Sequence, residues 1–97
     1  MPRGYWIVRV SVKDTDSYPK YLAAAKPAFE EFGARFVVRG GRYSAPEGQA
    51  RDRNVVVEFK DYDTAIACYH SAEYQAAKAL RNAYAEADFL IIEGAAA

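Results

Sequence analysis

Hydrophobic and polar positions along the chain switch between a period of two and a period near 3.6, and the switches outline six segments. Tyr5 to Val12 (YWIVRVSV) is β-branched and aromatic and alternates near its end, which predicts a first strand. Its two faces are Tyr5, Ile7, Arg9, Ser11 and Trp6, Val8, Val10, Val12. The stretch DTDSYPKYLAAAKPAFEEFG then places Tyr18, Leu22, Ala25, Phe29 and Phe32 at helical spacing, with Asp14 or Asp16 to cap the first turn and Pro19 within it. Pro27 breaks that pattern and predicts a kink or a split, and Gly33 predicts a left-handed stop.

The next stretch, Gly33 to Phe59, organises the chain: two strands joined by a long, Gly-rich return. Ala34 to Arg39 reads as the second strand, with Phe36 and Val38 on one face and Arg35, Val37 and Arg39 on the other. Gly40-Gly41 suggests a bulge, Tyr43 to Ala45 offers further pairing, and Pro46-Glu47-Gly48 is turn chemistry. Asn54 to Phe59 is the third strand, with Val55, Val57 and Phe59 opposite Asn54, Val56 and Glu58. Asp61 or Asp63 opens a helix through Tyr69; His70-Ser71 interrupts it, and Ser71 caps a second piece carrying Tyr74, Ala77, Lys78 and Arg81. Asp88 to Glu93 is the fourth strand, and the Gly-Ala tail is expected to fray.

The order βαββαβ predicts an α+β, ferredoxin-like sandwich: an antiparallel sheet of strand order 4-1-3-2 with the helices on one face. Chain length fits one domain over residues 1–97, and 52% hydrophobic residues exclude disorder. The sheet face without helices then carries Tyr5, Ile7, Arg9, Val37, Arg39, Val56 and Glu58. Half of that set is apolar, which fits a covered surface better than a wet one, and a second copy of the chain is the simplest cover.

Charge narrows the function classes. Formal net charge is zero, so nothing marks the chain for nucleic acid. RNA-recognition modules share the strand order but need a basic-Gly-aromatic motif on the third strand; here that strand has no glycine and carries Glu58 outward. No run is long enough to span a membrane and the N-terminus lacks a signal-peptide core. With a single cysteine and no internal disulfide, a cytoplasmic setting is expected.

Arg9, Arg39 and Glu58, with Tyr5 beside them, are the first candidates for a site: two guanidinium groups to orient an anion and a carboxylate to accept a proton. The competing reading is an ion-pair network that fixes the register of a dimer. Arg39-Gly40-Gly41-Arg42 could hold an anion on backbone N–H groups, although a bulge explains the glycines. His70, the sole histidine, titrates near neutral and suits proton transfer or ligation, but Cys68 two residues earlier does not share its helical face and no metal motif is present. Helix-end capping for His70 and packing for Cys68 are the simpler readings. The helix-borne tyrosines Tyr18, Tyr21, Tyr62, Tyr69, Tyr74 and Tyr84 suit either core packing or an aromatic pocket. No metal and no cofactor is expected.

The segments GYWIVRV, PAF..FGARFVVRGG, NVVVEF and ACYHSAEYQAAKALR resemble the domain-of-unknown-function 1330 family, across roughly Gly4 to Gly94. That family belongs to the dimeric α/β-barrel superfamily. The resemblance implies a ferredoxin-like protomer and a homodimer with sheets face to face. It implies no activity. The superfamily includes cofactor-free monooxygenases acting on aromatic substrates, muconolactone isomerases and haem enzymes, with no shared catalytic motif. The expectation is therefore a homodimer with a pocket for a small aromatic or carboxylated molecule between sheet and helices, its chemistry, if it is an enzyme, cofactor-independent and monooxygenase- or isomerase-like, or else a non-catalytic structural or ligand-binding dimer.

Overall fold

The computed structural model describes residues 2–96. The chain runs β1 (Gly4–Val12), α1 (Tyr18–Glu31), β2 (Arg35–Arg39), β3 (Arg53–Phe59), α2 (Tyr62–His70), α3 (Ala72–Tyr84) and β4 (Ala85–Glu93). The four strands form one antiparallel sheet of order β2-β3-β1-β4, the expected 4-1-3-2 read from the other edge. One face is buried under the helices. Trp6, Val8 and Val10 of β1 and Val55, Val57 and Phe59 of β3 supply that face, at the parity the alternation predicts.

Trp6 is the hub of the core. Its indole Nε1 donates to the Ala65 carbonyl of α2 at 2.9 Å, and its ring lies 4.8–5.7 Å from Phe29, Phe59, Tyr74 and Phe89. Those rings come from α1, β3, α3 and β4, so one side chain ties four elements to β1.

Local differences from the sequence reading have physical causes. Pro27 sits inside α1 without splitting it. Both Pro27 and Ala23, whose carbonyl loses its intrahelical donor, face solvent, so water can satisfy the orphan. No side chain caps α1: Ser17 is its N-cap residue, and the Asp14 carboxylate instead accepts from the Ser17 N–H at 3.1 Å, one turn early. At the other end Gly33 takes φ +66°, and the Ala34 N–H bonds the Phe29 carbonyl at 2.9 Å, closing the helix as expected. The fully buried stripe of α1 is Tyr18, Tyr21, Ala25 and Ala28, while Leu22, Phe29 and Phe32 are half-buried. Ser71 both ends α2 and caps α3, its hydroxyl accepting from the Tyr74 N–H at 3.2 Å and donating to the Cys68 carbonyl at 2.7 Å. Strand β4 begins three residues before the expected Asp88, because Ala85 and Ala87 pair with Val12 and Val10 across β1.

Two corrections concern β2. The glycines at 40 and 41 do not form the bulge; the register slips between Phe36 and Val38 instead, leaving Val37 unpaired. Arg35 therefore lies opposite Glu58 and Val38 opposite Val56, both on the open face, while Phe36 lies opposite Val57 and Arg39 opposite Val55, both on the helix face. Val38 and Arg39 have exchanged faces relative to strict alternation. Tyr43 to Ala45 add no strand; the return from Gly41 to Ala50 is exposed.

Candidate functional site

The sheet separates two sets of polar groups. On the open face, cross-strand neighbours form three rows. The middle row is apolar: Leu90, Ile7, Val56 and Val38. One flanking row runs Ile92, Tyr5, Glu58, Arg35. There the Tyr5 hydroxyl donates to Glu58 Oε2 at 3.1 Å, and Arg35 Nη1 lies 3.4 Å from Glu58 Oε1, with Arg3 at 3.9 Å. The hydrogen bond to Glu58 raises the Tyr5 phenol above its ordinary pKa. The other row joins Asp88, Arg9 and Asn54. Asp88 accepts from Arg51 Nε at 2.9 Å and from Arg9 at 3.4 Å, and Arg9 also reaches the Gln49 carbonyl at 3.2 Å. The hydrogen bond and charge of Arg51 hold the Asp88 carboxyl below its ordinary range.

The structure thus places the sequence candidates apart. Tyr5 and Glu58 touch one another at one end of the open face, and Arg9 pairs with Asp88 at the other end. Arg9 borders a surface depression on the open face with Ile7, Asp88 and Leu90. Being on the open face, Arg9 and Glu58 do not line the space between sheet and helices. Arg39 does, once the bulge turns it over, and its guanidinium stacks 4.2 Å from the Phe36 ring centroid. His70 ends α2 on the surface, its ring edge-on to Tyr69 at 5.1 Å. Cys68 is fully buried, and burial pushes its thiol up to about 12, so it offers no thiolate. Among the described residues no group of three or more His, Cys, Asp or Glu side chains could hold a metal.

On the helix face a cleft opens between α1 and β2. Its outer part is a groove of about 450 Å³ lined by Leu22, Lys26, Phe29, Glu30, Phe36 and Arg39, among others. Behind it lies an inner cavity of about 30 Å³ bounded by Trp6, Val8, Val10, Tyr18, Tyr21 and Arg53, with Val55 and Val57 as floor. Leu22, Phe29 and Phe36 line both spaces and form the neck between them. Such an inner volume admits about one or two water molecules. Leu22 and Phe29, both half-buried, form the α1 side of that neck, while Tyr18, Tyr21, Ala25 and Ala28 are the helix's buried stripe.

Beside the inner cavity lies a polar chain that the sequence reading did not single out. Arg81 of α3 is 4% exposed, donates from Nη1 to the Tyr74 hydroxyl at 2.6 Å, and has no partner for its Nε. Tyr74 and Tyr21 hydroxyls are 2.8 Å apart, and Arg81 stacks over the Tyr21 and Phe89 rings at 5.7 and 5.4 Å. Arg53 lies over the Tyr18 ring at 5.7 Å. Burial raises the Tyr74 and Tyr18 phenols, so both stay neutral. A signal for these arginines was present: Arg81 falls on the same helical stripe as Tyr74 and Ala77, and Arg53 has the parity of Val55 and Val57.

Comparison with solved structures finds the same fold. A protein of unknown function from Rhodopseudomonas palustris superposes with TM-score 0.76 at 14% identity, covering 99% of this chain and 85% of the other. SnoaB, a cofactor-independent oxygenase from Streptomyces nogalater, gives TM-score 0.63 at 10% identity, covering 100% and 97%. A dimeric ferredoxin-like protein of unknown function from Thermobifida fusca gives 0.54 at 15% identity, covering 95% and 91%. At these identities the likeness concerns fold. No curated protein matches the sequence. The family model described as "Domain of unknown function (DUF1330)" matches residues 3–95, and the chain belongs to that family.

Proposed function

We propose that the protein is a homodimer, sheets face to face, that binds a small aromatic molecule in the cleft between α1 and β2 of each protomer. The observation that carries the binding reading is the composition of the cleft: Phe29, Phe36, Leu22 and, within, Trp6, Tyr18 and Tyr21 surround a space that opens to solvent. Concave, mostly apolar spaces with a few polar groups are where small molecules bind. No catalytic step is assigned. Glu58 is already engaged by Tyr5 and Arg35 on the far side of the sheet, and His70 lies at the surface.

The dimer rests on the open face. Ile7, Leu90 and Ile92 are 37%, 49% and 47% exposed on one contiguous face, with Val38 at 43% beside them. Fully burying such side chains stabilises by about 1.5–3 kcal/mol each, which favours a cover of matching shape. A second copy offers the same apolar middle row, flanked by rows whose charges are paired within the protomer, so no lone charge is trapped. Tyr5, Arg9 and Glu58 then belong to the interface, which is the register-fixing role weighed for them above. A structure of the same fold, from Thermobifida fusca, is described as dimeric.

Trp6, the sole tryptophan, borders the inner cavity and reports on it. Titration with 4-nitrobenzamide, a neutral aromatic quencher, should give saturable loss of Trp6 fluorescence. Quenching that stays linear in probe concentration would refute the cleft as a binding site.

A further inference from the structure

Seven of the eight arginines divide by sheet face, and the eighth, Arg42, lies in the exposed return. Arg3, Arg9, Arg35 and Arg51, at the open face, each form an ion pair with Glu58, Asp88 or Glu86. Arg39, Arg53 and Arg81, on the helix side, form none among the described residues; each stacks on an aromatic ring instead. Arg81 is the extreme case. It is almost wholly buried, has one neutral phenol as acceptor, and leaves Nε unpartnered. Uncompensated burial of a guanidinium is costly, and ring stacking offsets only part of that cost. Nearby phenols bring no countercharge, because burial keeps Tyr18 and Tyr74 protonated, while Arg53 and Arg81 both act on Tyr18.

We infer that the inner end of the cleft accepts the anionic group of an aromatic carboxylate, with Arg53, which lines it, as the recognition residue and Arg81, packed against Tyr21 behind the lining, adding positive field. The inference rests on the cleft being the binding site. It names what that site selects. The inner cavity, about 30 Å³, suits a planar carboxylate, while the groove of about 450 Å³ takes the aromatic body beside Phe29 and Phe36. Guanidinium recognises a carboxylate through charge-assisted, often bidentate hydrogen bonds, and Arg53, which forms no ion pair among the described residues, borders the cavity. Arg39 at the groove rim adds positive field on the approach.

The test compares 4-nitrobenzoate with the near-isosteric, neutral 4-nitrobenzamide by Trp6 quenching in the intact protein. The carboxylate should bind at least about tenfold tighter, a difference of about 1.4 kcal/mol. Arg53→Met should abolish that preference while leaving the amide's affinity within about threefold, since Met keeps much of the volume and removes the donors. Arg81→Met should reduce the preference severalfold through the lost field, and Arg53→Met decides the question alone if the Arg81 variant does not fold. Arg9→Met, on the open face, should leave the carboxylate preference unchanged. Equal affinity for the two probes, a preference that survives both helix-side variants, or its loss in Arg9→Met would each overturn the inference while the cleft stands. If neither probe saturates, the cleft reading itself fails and takes the inference with it.

Discussion

Single side chains carry most of the interior's specificity. Tyr74 receives the Arg81 hydrogen bond and shares one with Tyr21, so Tyr74→Phe leaves a buried guanidinium with no acceptor. A loss of about 1–3 kcal/mol is expected, measured by urea denaturation, and the double variant with Arg81→Met should recover part of it. Cys68, with its thiol pushed up to about 12 and its Sγ against the Ala28 carbonyl, should resist iodoacetamide at pH 8 until the protein unfolds. Labelling as fast as in the denatured chain would contradict its burial. Gly4 has a negative reason for being glycine: a Cβ there would run into the Asp61 carbonyl and the Tyr62 backbone. Gly4→Ala should therefore lower the melting temperature clearly, because backbone at the start of α2 would have to move.

At the scale of elements, strand order and most faces were legible in the sequence, and β2 was not. Alternation in β1 and β3 names the buried face because Arg9, Asn54 and Glu58 interrupt the apolar residues. In Phe36-Val37-Val38 three consecutive apolar residues leave parity undetermined, so a one-residue bulge passes unseen and reverses Val38 and Arg39. The candidate site depends on this: strict alternation groups Arg39 with Arg9 and Glu58 on the open face, and Arg53 falls one residue outside the expected strand. Arg81 was visible as a helix residue, but burial of a lone arginine depends on packing among α1, α3 and β4 that no local pattern announces. The bulge makes its own prediction. Val38→Lys should leave the protomer folded by circular dichroism, since Val38 faces outward, and should weaken self-association. A lysine under the helices, as strict alternation demands, would unfold the chain instead.

The whole molecule is organised by the two faces of one thin sheet, helices and cleft on one side and an apolar strip on the other. Leu90→Lys, at the β4 end of that strip, should shift sedimentation from dimer to monomer without loss of secondary structure. Acid should also act at this scale. Asp14, Asp61 and Asp88 have carboxyl groups lowered from the ordinary 3.8 by hydrogen bonds to Ser17, Thr64 and Arg51. A depressed folded-state pKa stabilises above the unfolded value and loses that contribution as pH falls through the folded one. Stability should therefore be flat from neutral pH down to about 5 and decline below 4. Among the described residues no helix is long and apolar enough to cross a membrane. Most direct as a test is a crystal structure of the full chain grown with 4-nitrobenzoate. Expected is the nitrophenyl ring between α1 and β2, against Phe29 and Phe36, with a second copy seated on Ile7, Val56 and Leu90. Ligand bound on the open face beside Arg9, or an open face bare of any partner copy, would contradict the division of labour between the two sides of the sheet.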